Sequence, residues 1–333
     1  MRKIKIAQIG AEHDHASSAF GSLKKQSDIF DLVGYAIPEG ETNVAPQAYE
    51  GYTPMTVEEL LDTPGLEAVV IETSETNLTK YALMAAERGL AIQMDKPGGC
   101  ELSDFEKLIA NCREKNLVFQ TGYMYRFNPE VKKLLKDIKE GKLGEIYSVE
   151  THMDCRHTPY KRQWLGKYPG GMMFFLGCHL IDLIYQIMGE PEEVIPMNMS
   201  TGFDGVTAED YGFAVLKYKN GVSFAKTCAY EPGGFLRRQL VVCGSKGTVQ
   251  LMPLEEYESL DKPGSMLVTR TRSVTDGLEN WANDGVKSVC EAYDRYDNMM
   301  AAFASFVRGE AENPYTLDYE LAVYKLVLRA CGK

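Results

Sequence analysis

Short, unbroken apolar runs alternate with amphipathic stretches through the first third of the chain. The runs at 4–9, 32–37, 68–71, 91–94 and 117–121 have the length of strands rather than helices. Between them the spacing changes to that of helices. Ala16, Phe20 and Leu23 share one side; 57–61 follows a Thr56–Glu59 capping box; 78–88 is opened by Asn77 and closed by Gly89. A second box, Ser103–Glu106, predicts a helix ending near Lys115. Strands alternating with helices in this way predict a parallel, doubly wound sheet of Rossmann type over residues 1–121.

Beyond residue 122 the pattern changes. Asn128 as N-cap with Pro129 at the first helical position predicts a helix carrying Val131, Leu134, Leu135 and Ile138, ended by Gly141. A half-buried strand is expected over 145–154, and a glycine turn at 170 feeds an apolar helix to Met188 with His179 and Asp182 embedded in it. From 211 the alternation is strictly β. Hairpins are predicted at 211–219/222–230, around Asn220-Gly221, and at 239–243/248–252, with an edge strand at 265–272 and closing helices at 290–308 and 317–329. The second domain, 122–333, is therefore expected to be α+β: a large, mostly antiparallel open sheet with helices on one face. The C-terminal helix is expected to pack back on the first domain. The other face of the sheet needs cover, which points to a homodimer or homotetramer.

Bulk properties narrow the function. At 333 residues two domains are expected, and a composition of 44% hydrophobic and 25% charged residues is that of a globular protein. A formal net charge of −11 argues against general affinity for nucleic acid or anionic membranes. No apolar run approaches the roughly 20 residues of a membrane span. The first residues run straight into a strand without the pattern of a signal peptide, and the eight scattered cysteines suit free thiols, so a cytoplasmic protein is expected.

Candidate chemistry gathers where strands end. The run 91–94 stops abruptly at Asp95-Lys96-Pro97-Gly98-Gly99, at the carboxyl edge where open parallel sheets bind ligands. After the first strand a dinucleotide turn would read G-x-G-x-x-G; here it reads Gly10-Ala11-Glu12-His13-Asp14-His15, with Glu12 and His15 at the second and third glycine positions. The acid expected after the second strand arrives late, as Glu39 behind Ile37-Pro38. His13 and His15 can place two imidazoles near one ion with help from Asp14, or donate hydrogen bonds to phosphate. No third ligand is identifiable nearby in sequence, and no metal is assigned.

Four motifs, in this order and spacing, make the whole chain resemble the glucose–fructose oxidoreductase / inositol dehydrogenase / MocA (Gfo/Idh/MocA) family. They are Asp95-Lys96-Pro97 (the family's Glu-Lys-Pro), the run Thr73 to Leu78, Gly122-Tyr123-Met124-Tyr125-Arg126-Phe127-Asn128-Pro129, and Gly170-Gly171 through Gly177-Cys178-His179-Leu180-Ile181-Asp182. The resemblance implies NAD or NADP as cofactor and hydride transfer at a hydroxyl of a sugar, sugar derivative or cyclitol. It makes Lys96 the residue that hydrogen-bonds the reacting hydroxyl and His179 the general acid or base, with Asp182 one turn on orienting the ring. Gly10, Glu12, His13, His15, Thr73, Ser74, Asn77, Asp95 and Lys96 fall on the cofactor side. Tyr125, Arg126, Arg156, His157, Trp164 and Tyr168 are candidates for the substrate pocket. Two departures stand out: Phe175 occupies the family's aspartate position four residues before His179, and Asp95 replaces glutamate. These departures and the missing glycines keep two other readings open: a non-redox carbohydrate-binding or regulatory homologue, and a metal-assisted lyase or hydrolase using the histidine pair.

Overall fold

The computed structural model describes residues 2–259, 266–275 and 284–333. The first compact unit comprises Met1–Met124 with Tyr296–Tyr324. Its strands are β1 (Ile4–Ile9), β2 (Phe30–Ala36), β3 (Ala68–Ile71), β4 (Ala91–Met94) and β5 (Phe119–Thr121). They pair in parallel in the order β2-β1-β3-β4-β5. Helices α1 (Ala16–Lys25), α2 (Val57–Leu61), α3 (Leu78–Glu87) and α4 (Leu102–Glu114) alternate with the strands. Every residue of β3 and β4 is buried, which is why these strands read as continuous apolar runs without alternation. The switch in strand order lies between β1 and β3, so their carboxyl ends form the crevice where such sheets take ligands.

The second unit comprises Tyr125–Arg295 with Lys325–Lys333. It contains α5 (Pro129–Lys139), β6 (Ile146–His152), α6 (Pro159–Trp164), α7 (Cys178–Met188) and β7 (Glu193–Pro196). Next come β8 (Tyr211–Tyr218), β9 (Gly221–Cys228), β10 (Gln239–Gly244), β11 (Gly247–Leu251) and the short strands β12 (Glu256–Tyr257) and β13 (Leu267–Val268). Strands β14 (Arg270–Thr275) and β15 (Val286–Val289) complete the set; of the helices that close the chain, α8 (Arg295–Val307) belongs to the first unit from Tyr296 on, and α9 (Leu317–Ala330) belongs to it as far as Tyr324. The large sheet has the order β15-β14-β11-β10-β6-β9-β8-β7. All its pairs are antiparallel except β6–β9. Helix α7 packs across β6 and β9. Asn128 caps α5 as expected, accepting from the amides of Glu130 and Val131.

Three local expectations are revised. Helix α4 starts at Leu102 with Glu101 as its N-cap, so Ser103 lies inside the first turn and the Ser103–Glu106 box does not form. The helix expected from 290 starts at Arg295, because Cys290 is held extended by a backbone bond to Thr269 O (3.1 Å) directly after β15. The edge strand expected over 265–272 is divided into β13 and β14, and its first residue, Ser265, lies outside the described residues. Among the described residues no helix is long and apolar enough to cross a membrane.

The close approach of β1 to β3 depends on Gly10. Its φ is +98°, and a Cβ there would lie 2.4 Å from the Thr73 amide nitrogen and 2.5 Å from the Glu72 carbonyl. Gly21, in the middle of α1, has open space where a Cβ would sit. Gly10→Ala should therefore cost about 2–5 kcal/mol from backbone strain and overpacking. Gly21→Ala should gain roughly 0.5–1 kcal/mol from helix propensity. Urea-unfolding midpoints of the two variants check both signs.

Candidate functional site

The carboxyl edge of the first sheet holds a buried, charged cluster. Asp95 follows β4 directly. Its Oδ1 accepts from the Lys96 amide at 2.6 Å, and its Oδ2 lies 2.9 Å from His15 Nδ1 and 3.2 Å from His13 Nδ1. His13 Nδ1 also lies 3.7 Å from Glu72 Oε2, and its Nε2 is 3.6 Å from Glu75 Oε1. His13, Glu72, Glu75, Asp95 and Lys96 are all buried. The histidine pair thus has a carboxylate beside it from 80 residues along the chain, which sequence proximity does not reveal. Asp14, the neighbour expected to assist, is exposed, and Glu12 is half-buried.

Burial dominates the electrostatics here. It lowers the His13 imidazole to about 4, against the opposing pull of Asp95 and Glu75. Glu72 is pushed well above the usual carboxyl range by burial and by the adjacent Asp95 carboxylate. Burial would raise Asp95 too, but the rings of His13 and His15 and the Lys96 ammonium hold it well below that range. Lys96 is 1% exposed, so the residue expected to touch the reacting hydroxyl sits in this cluster at the end of β4.

The β3–α3 turn adds a second group. Glu41 Oε1 accepts from the Ser74 amide, the Ser74 hydroxyl and Asn77 Nδ2, each at 3.1 Å. Asn77 thus stands at the start of α3 without a side-chain cap bond. Glu41 Oε2 is buried with no hydrogen-bond partner. Sequence spacing pointed to Glu39 as the acid after the second strand; Glu39 is exposed, and the carboxylate that reaches this turn is Glu41. Thr73 is buried beside it, with its hydroxyl on Ser74 O.

In the second unit, His179 lies in the first turn of α7, directly after a π-helical turn at Met173–Gly177. Such turns are frequent at functional sites. The His179 ring meets Tyr125 edge-on at 5.2 Å, and the Tyr125 hydroxyl bonds Glu255, which also binds Arg238 and Arg295. Asp182 accepts from Arg126 Nε (3.0 Å) and Nη2 (2.7 Å) and from Gln186 Nε2 (2.9 Å). Both partners of this ion pair are almost wholly buried. Phe175, in the π turn, packs with Trp164 (5.5 Å), His157 (6.4 Å) and Tyr168 (6.5 Å). The structure therefore gathers three of the expected substrate residues around Phe175, while Arg156 is exposed and stacks over Tyr230. A group that the sequence did not single out is Asp154, just past β6. Its carboxyl is raised to about 6 by burial, against the opposing pull of Lys226 3.0 Å away.

The Arg126–Asp182 pair predicts a stability pattern. Asp182→Ala strands a buried guanidinium and should cost about 3–5 kcal/mol. The Arg126→Met/Asp182→Ala double variant should recover most of that loss, as read in a double-mutant cycle by urea denaturation. A double variant no better than the single would mean that the pair is not the unit that matters.

Comparison with known proteins places this architecture. Residues 131–250 match the family model described as the GFO/IDH/MocA C-terminal domain. Trans-1,2-dihydrobenzene-1,2-diol dehydrogenase of Bos taurus is 26% identical over 211 residues, 62% of this chain and 59% of that protein. Myo-inositol 2-dehydrogenase of Thermotoga maritima is 24% identical over 200 residues, 57% of this chain and 58% of that one. The chain thus spans somewhat under two thirds of the length of these relatives. The solved structure of a 3-ketoreductase from Actinomadura kijaniata, in complex with NADP and TDP-benzene, has the same fold. It matches with a TM-score of 0.78 at 18% identity, covering 98% of this chain and 96% of that one. Over residues 131–250 the chain is thus similar to the GFO/IDH/MocA C-terminal domain, and a five-stranded parallel sheet precedes that stretch.

Proposed function

We propose that the chain is an NAD(P)-dependent oxidoreductase acting on a hydroxyl, or the corresponding carbonyl, of a sugar, sugar derivative or cyclitol. The observation that supports this most is the β1/β3 switch-point crevice, with Gly10 and Thr73 at its strand ends and Lys96 at the end of the adjacent β4. The names of the relatives, a dihydrodiol dehydrogenase and an inositol dehydrogenase, support a carbinol substrate.

The residues present fit a dinucleotide at the ribose end. Glu41 Oε2 is a buried acceptor lacking a donor, and a ribose hydroxyl supplies one. A 2′-phosphate would meet that carboxylate with like charge, so NAD is the preferred form. Gly10, Thr73, Ser74 and Asn77 line the same strand ends. Glu12 and His15 stand where two glycines usually let phosphate approach the backbone, so this loop meets the diphosphate with side chains. A bound nicotinamide takes or gives a hydride at its C4. The chain's own part is the proton. Lys96 is the first unit's group for offering an ammonium N–H to a reacting oxygen, and His179 is the second unit's candidate general acid or base. Phe175 in place of an aspartate gives the substrate region of the second unit an aromatic wall of the kind that packs on sugar faces.

Calorimetric titration with NAD⁺, NADH, NADP⁺ and NADPH should show micromolar binding, tighter for the NAD forms. No binding at millimolar nucleotide would sink the oxidoreductase reading. In a sugar and cyclitol screen, Lys96→Met should lower turnover at least ~100-fold while nucleotide still binds. Wild-type turnover in that variant would remove Lys96 from the mechanism.

The second unit's open sheet face supports a homo-oligomer. Phe213, Phe224 and His152 form a half-buried aromatic ladder on the sheet, with rings 5.6 Å apart, and Tyr147 and Val222 are each 50% exposed. Light scattering should give a dimer or tetramer mass for the wild type and a monomer mass for Phe224→Asp. A wild-type monomer would refute the assembly.

A further inference from the structure

The cluster at the end of β4 is built like a metal centre. Three ligand-type side chains, His13, His15 and Asp95, present one atom each within a 4.8 Å span. Asp95 Oδ2 lies 2.9 Å from His15 Nδ1 and 3.2 Å from His13 Nδ1. A tetrahedral zinc ion with ligands at about 2.0–2.1 Å holds them about 3.3 Å apart; the two spacings to Asp95 are close to that, and all three ligand atoms lie within 4.8 Å of one another.

Two independent features point to a cation among these groups. The first is the orientation of His13. The His15 amide donates to His13 Nδ1 at 3.2 Å, which marks that nitrogen as carrying a lone pair. The same nitrogen faces Asp95 Oδ2 at 3.2 Å and Glu72 Oε2 at 3.7 Å. Acceptors facing one another in a buried site repel unless something positive stands among them. The second is a set of buried polar atoms left without partners: His13 Nε2 and Glu72 Oε2, on side chains that are almost wholly buried.

We propose that His13, His15 and Asp95 bind a divalent transition-metal ion of zinc type, with Glu72 as the nearest outer carboxylate. Two imidazoles and one carboxylate are a borderline donor set that suits zinc and its neighbours better than magnesium or calcium. Three protein ligands also leave a coordination position open, as in catalytic rather than purely structural zinc sites. The site explains why imidazole-bearing residues occupy this loop. It does not rest on the oxidoreductase reading, because the metal is read without nucleotide or substrate.

The test uses the full chain, stripped with a chelator and titrated with zinc chloride by calorimetry and with cobalt(II) chloride by visible absorption. One equivalent of zinc should bind at micromolar affinity or tighter. Cobalt should give the d–d bands of a four- or five-coordinate ion without a near-ultraviolet thiolate band. His15→Ala, at the most exposed of the three ligands (side chain 16% exposed), should fold normally and lose affinity beyond the roughly 10–100-fold seen when only an outer-shell partner is removed. Absence of stoichiometric uptake, uptake unchanged in His15→Ala, or a thiolate band showing that cysteines hold the ion would each overturn the proposal. In the first case the cluster is a hydrogen-bond network only.

Discussion

The first unit's functional edge depends on one buried carboxylate. An ionised group taken out of water costs several kcal/mol unless its oxygens are occupied. Asp95 meets this with a backbone amide on one oxygen and the His15 imidazole on the other, with the His13 ring 3.2 Å away. Both imidazoles come from the β1–α1 loop, so the same contacts that make Asp95 tolerable also set the course of that loop. In the glycine-rich version of this turn, backbone freedom and a bound phosphate shape the loop. Here side chains tie it to the end of β4, and only Gly10 keeps the glycine role, because β1 must turn against the backbone of Glu72 and Thr73.

What could be read from the sequence follows the range of the interaction that encodes it. The parallel sheet, the Thr56–Glu59 box, the Asn128–Pro129 helix start and the Asn220-Gly221 hairpin are written in neighbouring residues and emerge as expected. The pairing of His13 and His15 with Asp95 is not, because periodicity places strands without saying which side chains meet at their ends. The same limit explains Glu39 and Glu41. Spacing from the second strand favours the earlier acid, but the loop carries the later one onto Ser74 and Asn77. Arg126 and Asp182 are candidates for the substrate pocket and for orienting His179, and sequence distance hides that they meet. In the fold they form a buried ion pair.

The second unit repeats that lesson around α7. Arg126–Asp182, Arg162–Asp210 and the Glu255–Arg238–Arg295 group are buried ion pairs. Such pairs add little net stability compared with apolar packing, but breaking one is costly. Their effect is to fix geometry. Asp182 lies one helical turn beyond His179, and Tyr125, against the His179 ring, is bonded to Glu255. The position of His179 is thus held from two sides. The π turn before it changes the phase of the helix, so a residue four places earlier need not lie under the imidazole. Phe175 accordingly packs among Trp164, Tyr168 and His157.

The balance of charge at the first unit's edge decides how it can receive an anion. The start of α1 carries no acidic residue in its first turn, so the helix dipole remains available there. That dipole contributes about 0.3–1 kcal/mol at an exposed helix end and up to about 2 kcal/mol in partly buried geometry. A single ionised carboxylate about 6 Å from a phosphate charge opposes binding by about 3 kcal/mol at an effective dielectric constant near 20. The helix end alone therefore does not outweigh even one of Glu12, Glu72, Glu75 or Asp95 in its charged form at that distance. A loop of this composition can accept a diphosphate only if these carboxylates are compensated locally, by protons, by imidazolium or by a bound cation. His15, at the third glycine position, and His13 two residues before it are the groups placed to hold such a cation.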